Sequence, residues 1–155
     1  MQLQIISIGQ KMPRWVDDAC ADYSKRLPRE LALQWTTLPL AQRKGHNKVE
    51  VIKQDEADRI QHKLLPGLRL ALDEKGRQWS SLDWSNQLQN WMQDYPRVNI
   101  IIGGPDGLSD ALLADCHQRV SFGRMTMPHA LVRVVLVEQI YRAWSICQGH
   151  PYHRE

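Results

Sequence analysis

The chain has 155 residues, 43% hydrophobic and 24% charged, with a net charge of +3. That is the size and composition of one globular domain with material for one core, mildly basic, so an acidic partner such as nucleic acid is permitted but not required. The sequence holds no internal repeat and no low-complexity tract. The three cysteines (Cys20, Cys116, Cys147) are far apart and form no CxxC, so neither paired disulfides nor a cysteine zinc site is expected. Reduced thiols suit a cytoplasmic protein. The opening Met1-Gln2-Leu3-Gln4-Ile5-Ile6 lacks the basic and apolar regions of a signal peptide. No apolar run approaches the roughly 18 residues of a membrane span.

In chain order, strand and helix alternate. Leu3 to Ile8 reads as a short apolar strand ending at Gly9. Pro13 opens an amphipathic helix through Trp15, Val16, Ala19, Tyr23 and Leu27, stopped by Pro28. Leu31 to Leu38 is a second strand. Gln42 to Lys48 is polar, basic and broken by Gly45, hence a loop. Val49 to Leu65 is a helix ended by Pro66-Gly67. Leu68 to Leu72 is a third strand, followed by Asp73-Glu74-Lys75-Gly76, and Ser81 to Met92 a third helix. Val98 to Ile102 is continuously apolar, as in a strand buried on both faces of a parallel sheet. A short helix follows from Ser109, then a short strand near Val120 to Phe122. The last helix runs from about Ala130 to Cys147. The alternation predicts one α/β domain, a mostly parallel sheet flanked by helices.

Four segments bear on chemistry. Ile102-Gly103-Gly104-Pro105-Asp106-Gly107 follows a strand, where α/β proteins place ligands. It is neither a P-loop nor a GxGxxG fingerprint, so it is either a tight turn or a loop over which a ligand approaches the main chain. The end of the third strand, Leu72-Asp73-Glu74-Lys75-Gly76, faces the same crevice or is an exposed turn. Ser121 to His129 is an apolar loop without a period. Its free backbone groups either cover the core or hold a flat aromatic such as adenine. The last helix is apolar around most of its circumference and calls for cover on several sides, which points to a dimer. Within it Glu138 and Arg142 are spaced as a helical ion pair. Arg133 stands alone among Leu131 to Val137, waiting for an anion or a backbone group.

Charge is also unevenly placed. No lysine follows Lys75, and from His117 onward there are five arginines against two acids, with four of the six histidines. Arginine forks suit phosphates and bases. The ending Tyr152-His153-Arg154 offers stacking surfaces and phosphate contacts, unless it is simply a frayed terminus. A metal shared by His150 and His153 is not expected.

Together these segments resemble the ribosomal large subunit methyltransferase H family within the knotted SPOUT methyltransferases. The resemblance is carried by Ile102 to Ser109, by Met125-Thr126-Met127-Pro128-His129, by Arg133 through Ala143, and by Pro151 to Arg154, with Gly9, Lys11, Tyr23 and Arg26 similar as well. It spans the chain. It implies an α/β sheet whose C-terminal part is tied in a trefoil knot, a rare exception to unknotted topology. It implies a homodimer, with S-adenosylmethionine held by Leu72, Gly103, Gly104, Phe122, Gly123, Arg124, Met125, Thr126 and Met127. The family's reaction methylates N3 of a pseudouridine in 23S rRNA of the assembled ribosome. The N3 proton must leave, and His129 and Arg133 beside the cofactor loop, together with Arg142, are the candidate catalytic residues. Arg142, Tyr152, His153 and Arg154 are the candidate RNA contacts, with Arg43 to Lys48 a further basic one. Competing readings are a SPOUT enzyme acting on tRNA, a noncatalytic ribosome-associated RNA-binding protein, and a flavodoxin-like nucleotide binder.

Overall fold

A computed structural model of the chain describes residues 1–43, 45 and 48–153. Among them strands and helices alternate as β1 (Gln2–Ile8), α1 (Arg14–Arg26), β2 (Ala32–Leu38), α2 (Val49–Gln61), β3 (Leu68–Gln78), α3 (Ser81–Asp94), β4 (Arg97–Ile102), α4 (Asp110–Ala114), β5 (Gln118–Ser121) and α5 (His129–Cys147). The strands form one sheet in the order β2-β1-β4-β3-β5, and every pairing is parallel.

β1 and β4 lie side by side at the centre, and this explains their unbroken apolar runs. In a strand, alternate residues face opposite sides, so a strand buried on both faces has no polar side to show. Leu3, Ile5, Ile100 and Ile102 point into one core layer with α1, α3 and α5, where Trp84, Leu88, Trp91, Leu136, Val137 and Ile140 complete the packing. Ile6, Ile8, Ala71 and Ile101 point into the other, against Ala57 and Ile60 of α2 and Leu112 and Leu113 of α4. The carboxyl ends of all five strands open on one edge of the sheet. Among the described residues no helix is long and apolar enough to cross a membrane.

Two elements differ from their sequence pattern. β3 does not stop at Leu72 but runs on to Gln78. Val120 of β5 is paired with both Leu72 and Arg77, so residues 73–76 bulge out of the ladder between two stretches of one strand. Gly76 makes this possible: a Cβ there would stand 2.6 Å from the Val120 nitrogen and 2.7 Å from the Arg119 carbonyl carbon, both main-chain atoms. α2 ends at Gln61, four residues before its apolar pattern does. The fully buried Asn99 of β4 takes over the next segment, its side-chain amide donating to the Leu65 carbonyl at 2.9 Å and the Leu68 carbonyl at 3.3 Å.

Candidate functional site

At the carboxyl edge of the sheet the ends of β3, β4 and β5 surround a cleft of about 190 Å³. Leu72, Asp73 and Glu74 form one wall, Ile102 and Gly103 the floor, and Val120 to Gly123 with Met125, Thr126 and Met127 the other wall. His129 and Val132 of α5 close the back. Phe122 is fixed by stacking on Trp84, ring centroids 6.0 Å apart. The Ser121 hydroxyl bonds both the N–H and the carbonyl of Gly123 at 3.0 Å, which turns the loop. Beyond that turn the main chain of residues 124–127 makes no hydrogen bond to other described residues. A second cleft of about 350 Å³ lies across the same loop, sharing Ser121, Phe122, Gly123 and Met127 and adding Trp79, Trp84 and Gln139.

Of the residues anticipated for the cofactor, Leu72, Gly103, Phe122, Gly123, Met125, Thr126 and Met127 come together here. Arg124 is exposed beside them but does not line the cleft. Gly104 faces away, toward α2. A Cβ on it would stand 2.9 Å from both carboxylate oxygens of Glu56.

His129, the first residue of α5, reaches back to β1. Its Nε2 lies 2.8 Å from the Ile8 carbonyl oxygen. A carbonyl can only accept, so Nε2 carries the hydrogen and Nδ1 keeps its lone pair. Burial holds the His129 pKa below its ordinary value and the neighbouring Arg133 charge lowers it further, against the opposing bond to Ile8. The ring is therefore neutral at neutral pH. Because the folded state disfavours the protonated ring, its contribution to stability is complete above the unfolded value of about 6.5 and is lost as the pH falls below it, where the unfolded chain takes up the proton first. The thermal midpoint of the protein should fall more steeply between pH 6.5 and 5 than that of a His129→Gln variant. Parallel curves would show that His129 is not held neutral.

Arg133, one turn along α5, is 4% exposed. Its guanidinium donates to the Gly9 carbonyl and lies over the Trp35 ring, 5.9 Å from the centroid. The backbone just after β1 thus supplies the partner that the lone arginine called for. Its Nε has no partner among the described residues, and burial lowers its pKa. Met12, His129 and Arg133 converge on Gly9.

The other candidate residues gather at the far end of α5. Arg142 grips Glu138 through Nε at 2.9 Å and a terminal nitrogen at 2.7 Å. The Tyr152 hydroxyl donates to the same carboxylate at 3.1 Å, and its ring lies under the Arg142 guanidinium and edge-on to Tyr141, 4.6 Å between centroids. Burial first, then the Tyr23 hydroxyl and the Glu138 carboxylate, push the Tyr152 pKa far up, so it stays protonated. His153 is half-buried, its Nδ1 unpartnered among the described residues. Arg154, and Lys44, His46 and Asn47 of the basic loop, lie outside the described residues. At about 1.5 Å per residue, α5 separates His129 from Arg142 by roughly 20 Å.

Several residues of the site were not given a role from the sequence. Ile8 and Gly9 entered only through the family resemblance, although they repeat the strand-then-glycine signal of Ile102-Gly103. Val120 and Val132 carry no motif, and Trp35 meets Arg133 only through the pairing of β2 with β1. Among the described residues no three His, Cys, Asp or Glu side chains are grouped to hold a metal ion.

The family described as predicted SPOUT methyltransferase matches residues 1–153. The chain is 44% identical to the ribosomal RNA large subunit methyltransferase H of Ralstonia nicotianae, with 99% of each chain covered. It is 43% identical to the protein of that name from Hydrogenovibrio crunogenus, with all of both chains covered, and 42% identical to that of Hahella chejuensis. Its fold is similar to that of a probable methylase family protein from Haemophilus influenzae, with a TM-score of 0.60 at 10% identity, covering 99% of this chain and 70% of that one. At that identity the likeness is one of fold alone.

Proposed function

The chain belongs to the SPOUT methyltransferase family and, within it, to the ribosomal RNA large subunit methyltransferases H, enzymes that use S-adenosylmethionine; from that premise we propose that it methylates N3 of a pseudouridine in 23S rRNA of the assembled ribosome, as a cytoplasmic homodimer. The reading carries with it the C-terminal knot of the family. The observation that supports it most is the cleft at the strand ends, walled by a loop whose main chain makes no hydrogen bond to other described residues over residues 124–127.

The residues present fit the cofactor. Phe122, Met125, Met127 and Val132 offer apolar walls for a flat ring, and the free N–H and C=O groups of the loop offer its polar edge partners. Asp73 and Glu74 line the same cleft and would supply negative charge to a cationic donor. The first cleft alone is smaller than the roughly 300 Å³ usual for small-molecule sites, so the second, across the same loop, takes the rest. When bound, S-adenosylmethionine supplies a methyl group on a good leaving group, so catalysis is chiefly positioning.

The chain must then bring the N3 atom into line and remove its proton. His129 serves as acceptor: it is neutral, oriented by Ile8 and left with a lone pair on Nδ1. Arg133 fixes the end of β1 against which His129 rests. Arg142, Tyr152, His153 and Arg154 hold the RNA. In one copy Arg142 lies roughly 20 Å along α5 from His129, so the tail of one copy serves the cleft of a second. The half-covered Val134 and Val135, and Leu131 at 37% and Trp15 at 54% exposure, offer apolar surface for that contact.

Transfer of labelled methyl from S-adenosylmethionine to intact ribosomes, isolated large subunits and bulk tRNA tests the proposal. Label in ribosomal RNA, strongest with intact ribosomes, is the expected result. Label in tRNA alone would overturn the substrate while keeping the donor.

A further inference from the structure

Behind the cofactor loop stands a buried acid that the mechanism above does not use. Glu56 of α2 is 2% exposed, and its carboxylate lies directly against the main chain at Gly104. It accepts the Ala41 N–H and, at 3.2 Å, a terminal nitrogen of Arg43. Its second oxygen has no partner among the described residues.

Arg43 does more than neutralise Glu56. The same terminal nitrogen is 3.0 Å from the Asp106 carboxylate, and its Nε donates to that carboxylate at 3.1 Å. Its other terminal nitrogen donates to the Ala41 carbonyl at 3.0 Å. Asp106 sits in the turn that the Gly107 N–H closes on the Gly104 carbonyl at 3.0 Å. One guanidinium therefore ties three parts of the chain: the segment after β2, helix α2, and the Gly103–Gly107 loop, whose first residue floors the cleft.

We propose that Glu56 is a positioning residue for the cofactor loop, holding Gly103–Gly107 in its binding shape through Arg43 and Asp106; this rests on the methyltransferase reading of the cleft. Glu56 loses its hydration while Arg43 stays 30% exposed, so the pairing recovers little more than the desolvation cost of the acid and supplies geometry rather than net stability. Gly104 has no side chain because the carboxylate occupies that space, and the loop is pressed between Glu56 behind and the cleft in front.

The test uses the full chain and S-adenosylhomocysteine as probe, titrated by calorimetry, with the thermal midpoint measured alongside. Glu56→Gln keeps the shape and the acceptor for Ala41 while removing the charge. It should weaken binding about tenfold, the size of coupling typical of neighbouring charged groups. Asp106→Asn, at a side chain 27% exposed, should weaken it comparably, and the double variant should be no worse than the worse single one, because the three groups act as a unit. In turnover with ribosomes, KM for S-adenosylmethionine should rise by the same factor at unchanged kcat, a split that a loss of stability alone does not produce. If Glu56→Gln fails to fold, Asp106→Asn decides. Variants that bind the probe within about twofold of the parent, with only the midpoint lowered, would overturn the inference and leave the methyltransferase reading standing. A parent chain that binds no probe would overturn both.

Discussion

Alanine at Arg142 should lower methyl transfer to ribosomes by about 100-fold or more while leaving S-adenosylhomocysteine affinity within about twofold, because positioning and charge stabilisation by a single group are commonly of that size. The expectation comes from where α5 puts the residue. Arg142 is at the end remote from the cleft, its guanidinium bonded twice to Glu138 and lying over Tyr152. Removing it takes away the cation that orients the tail and leaves the Glu138 carboxylate beside any approaching phosphate. Lysine should not rescue the loss, since a point charge cannot bridge Glu138 and face the Tyr152 ring together. Single-turnover transfer and calorimetry, run side by side, check the division. Collapse of cofactor affinity with turnover of the bound fraction intact would show that Arg142 belongs to the donor site.

The second large effect is on the sheet. Gly76→Ala places a methyl within 2.8 Å of three main-chain atoms of Arg119 and Val120, none of which can rotate away. β3 and β5 must separate where the bulge rejoins the ladder. Overpacking against backbone lies at the upper end of its usual cost, about 3 kcal/mol. For a chain of this length that lowers the thermal midpoint by about 6–12 °C. The cleft should suffer as well, because Leu72 borders the bulge, Asp73 and Glu74 lie on it, and Val120 and Ser121 belong to the partner strand. A folded Gly76→Ala protein of unchanged midpoint and probe affinity would mean that the bulge is soft and the clash is relieved by a shift of the loop.

What could be read in the sequence and what could not divides along the range of the interactions. β1 and β4 were legible because burial on both faces leaves a local mark, an unbroken apolar run. α5 was legible for the same reason, and the isolation of Arg133 within it announced a buried partner. The choice between an anion and a backbone group needed the Gly9 carbonyl in place. β3 was misread as ending at Leu72 because Asp73-Glu74-Lys75-Gly76 has the composition of a turn. Its continuation is imposed by pairing with β5, more than forty residues later. Gly104 reads like Gly103 in sequence, yet one borders the cleft and the other makes room for Glu56. Glu56 itself is an ordinary acid in the middle of a helix. Nothing local distinguishes it, since its burial, its partner Arg43 and the Asp106 that shares that guanidinium come from separate parts of the chain.

The central pairing of β1 with β4 also governs how the molecule is made. Gln2 is in register with Arg97, so the strand synthesised first waits for most of the sheet to be synthesised before its inner edge is covered. At a translation rate of about 5–20 residues per second that wait is on the order of 5–20 s. Throughout it Leu3, Ile5, Ile6 and Ile8 can pair only with β2, on the outer side. A nascent chain halted before Arg97 has two strands in register and an open apolar edge, the form of strand most prone to pair with a neighbour. Long-range parallel pairing of this kind is slow to form, so the same topology that seats β1 at the core leaves its inner edge uncovered longest during synthesis.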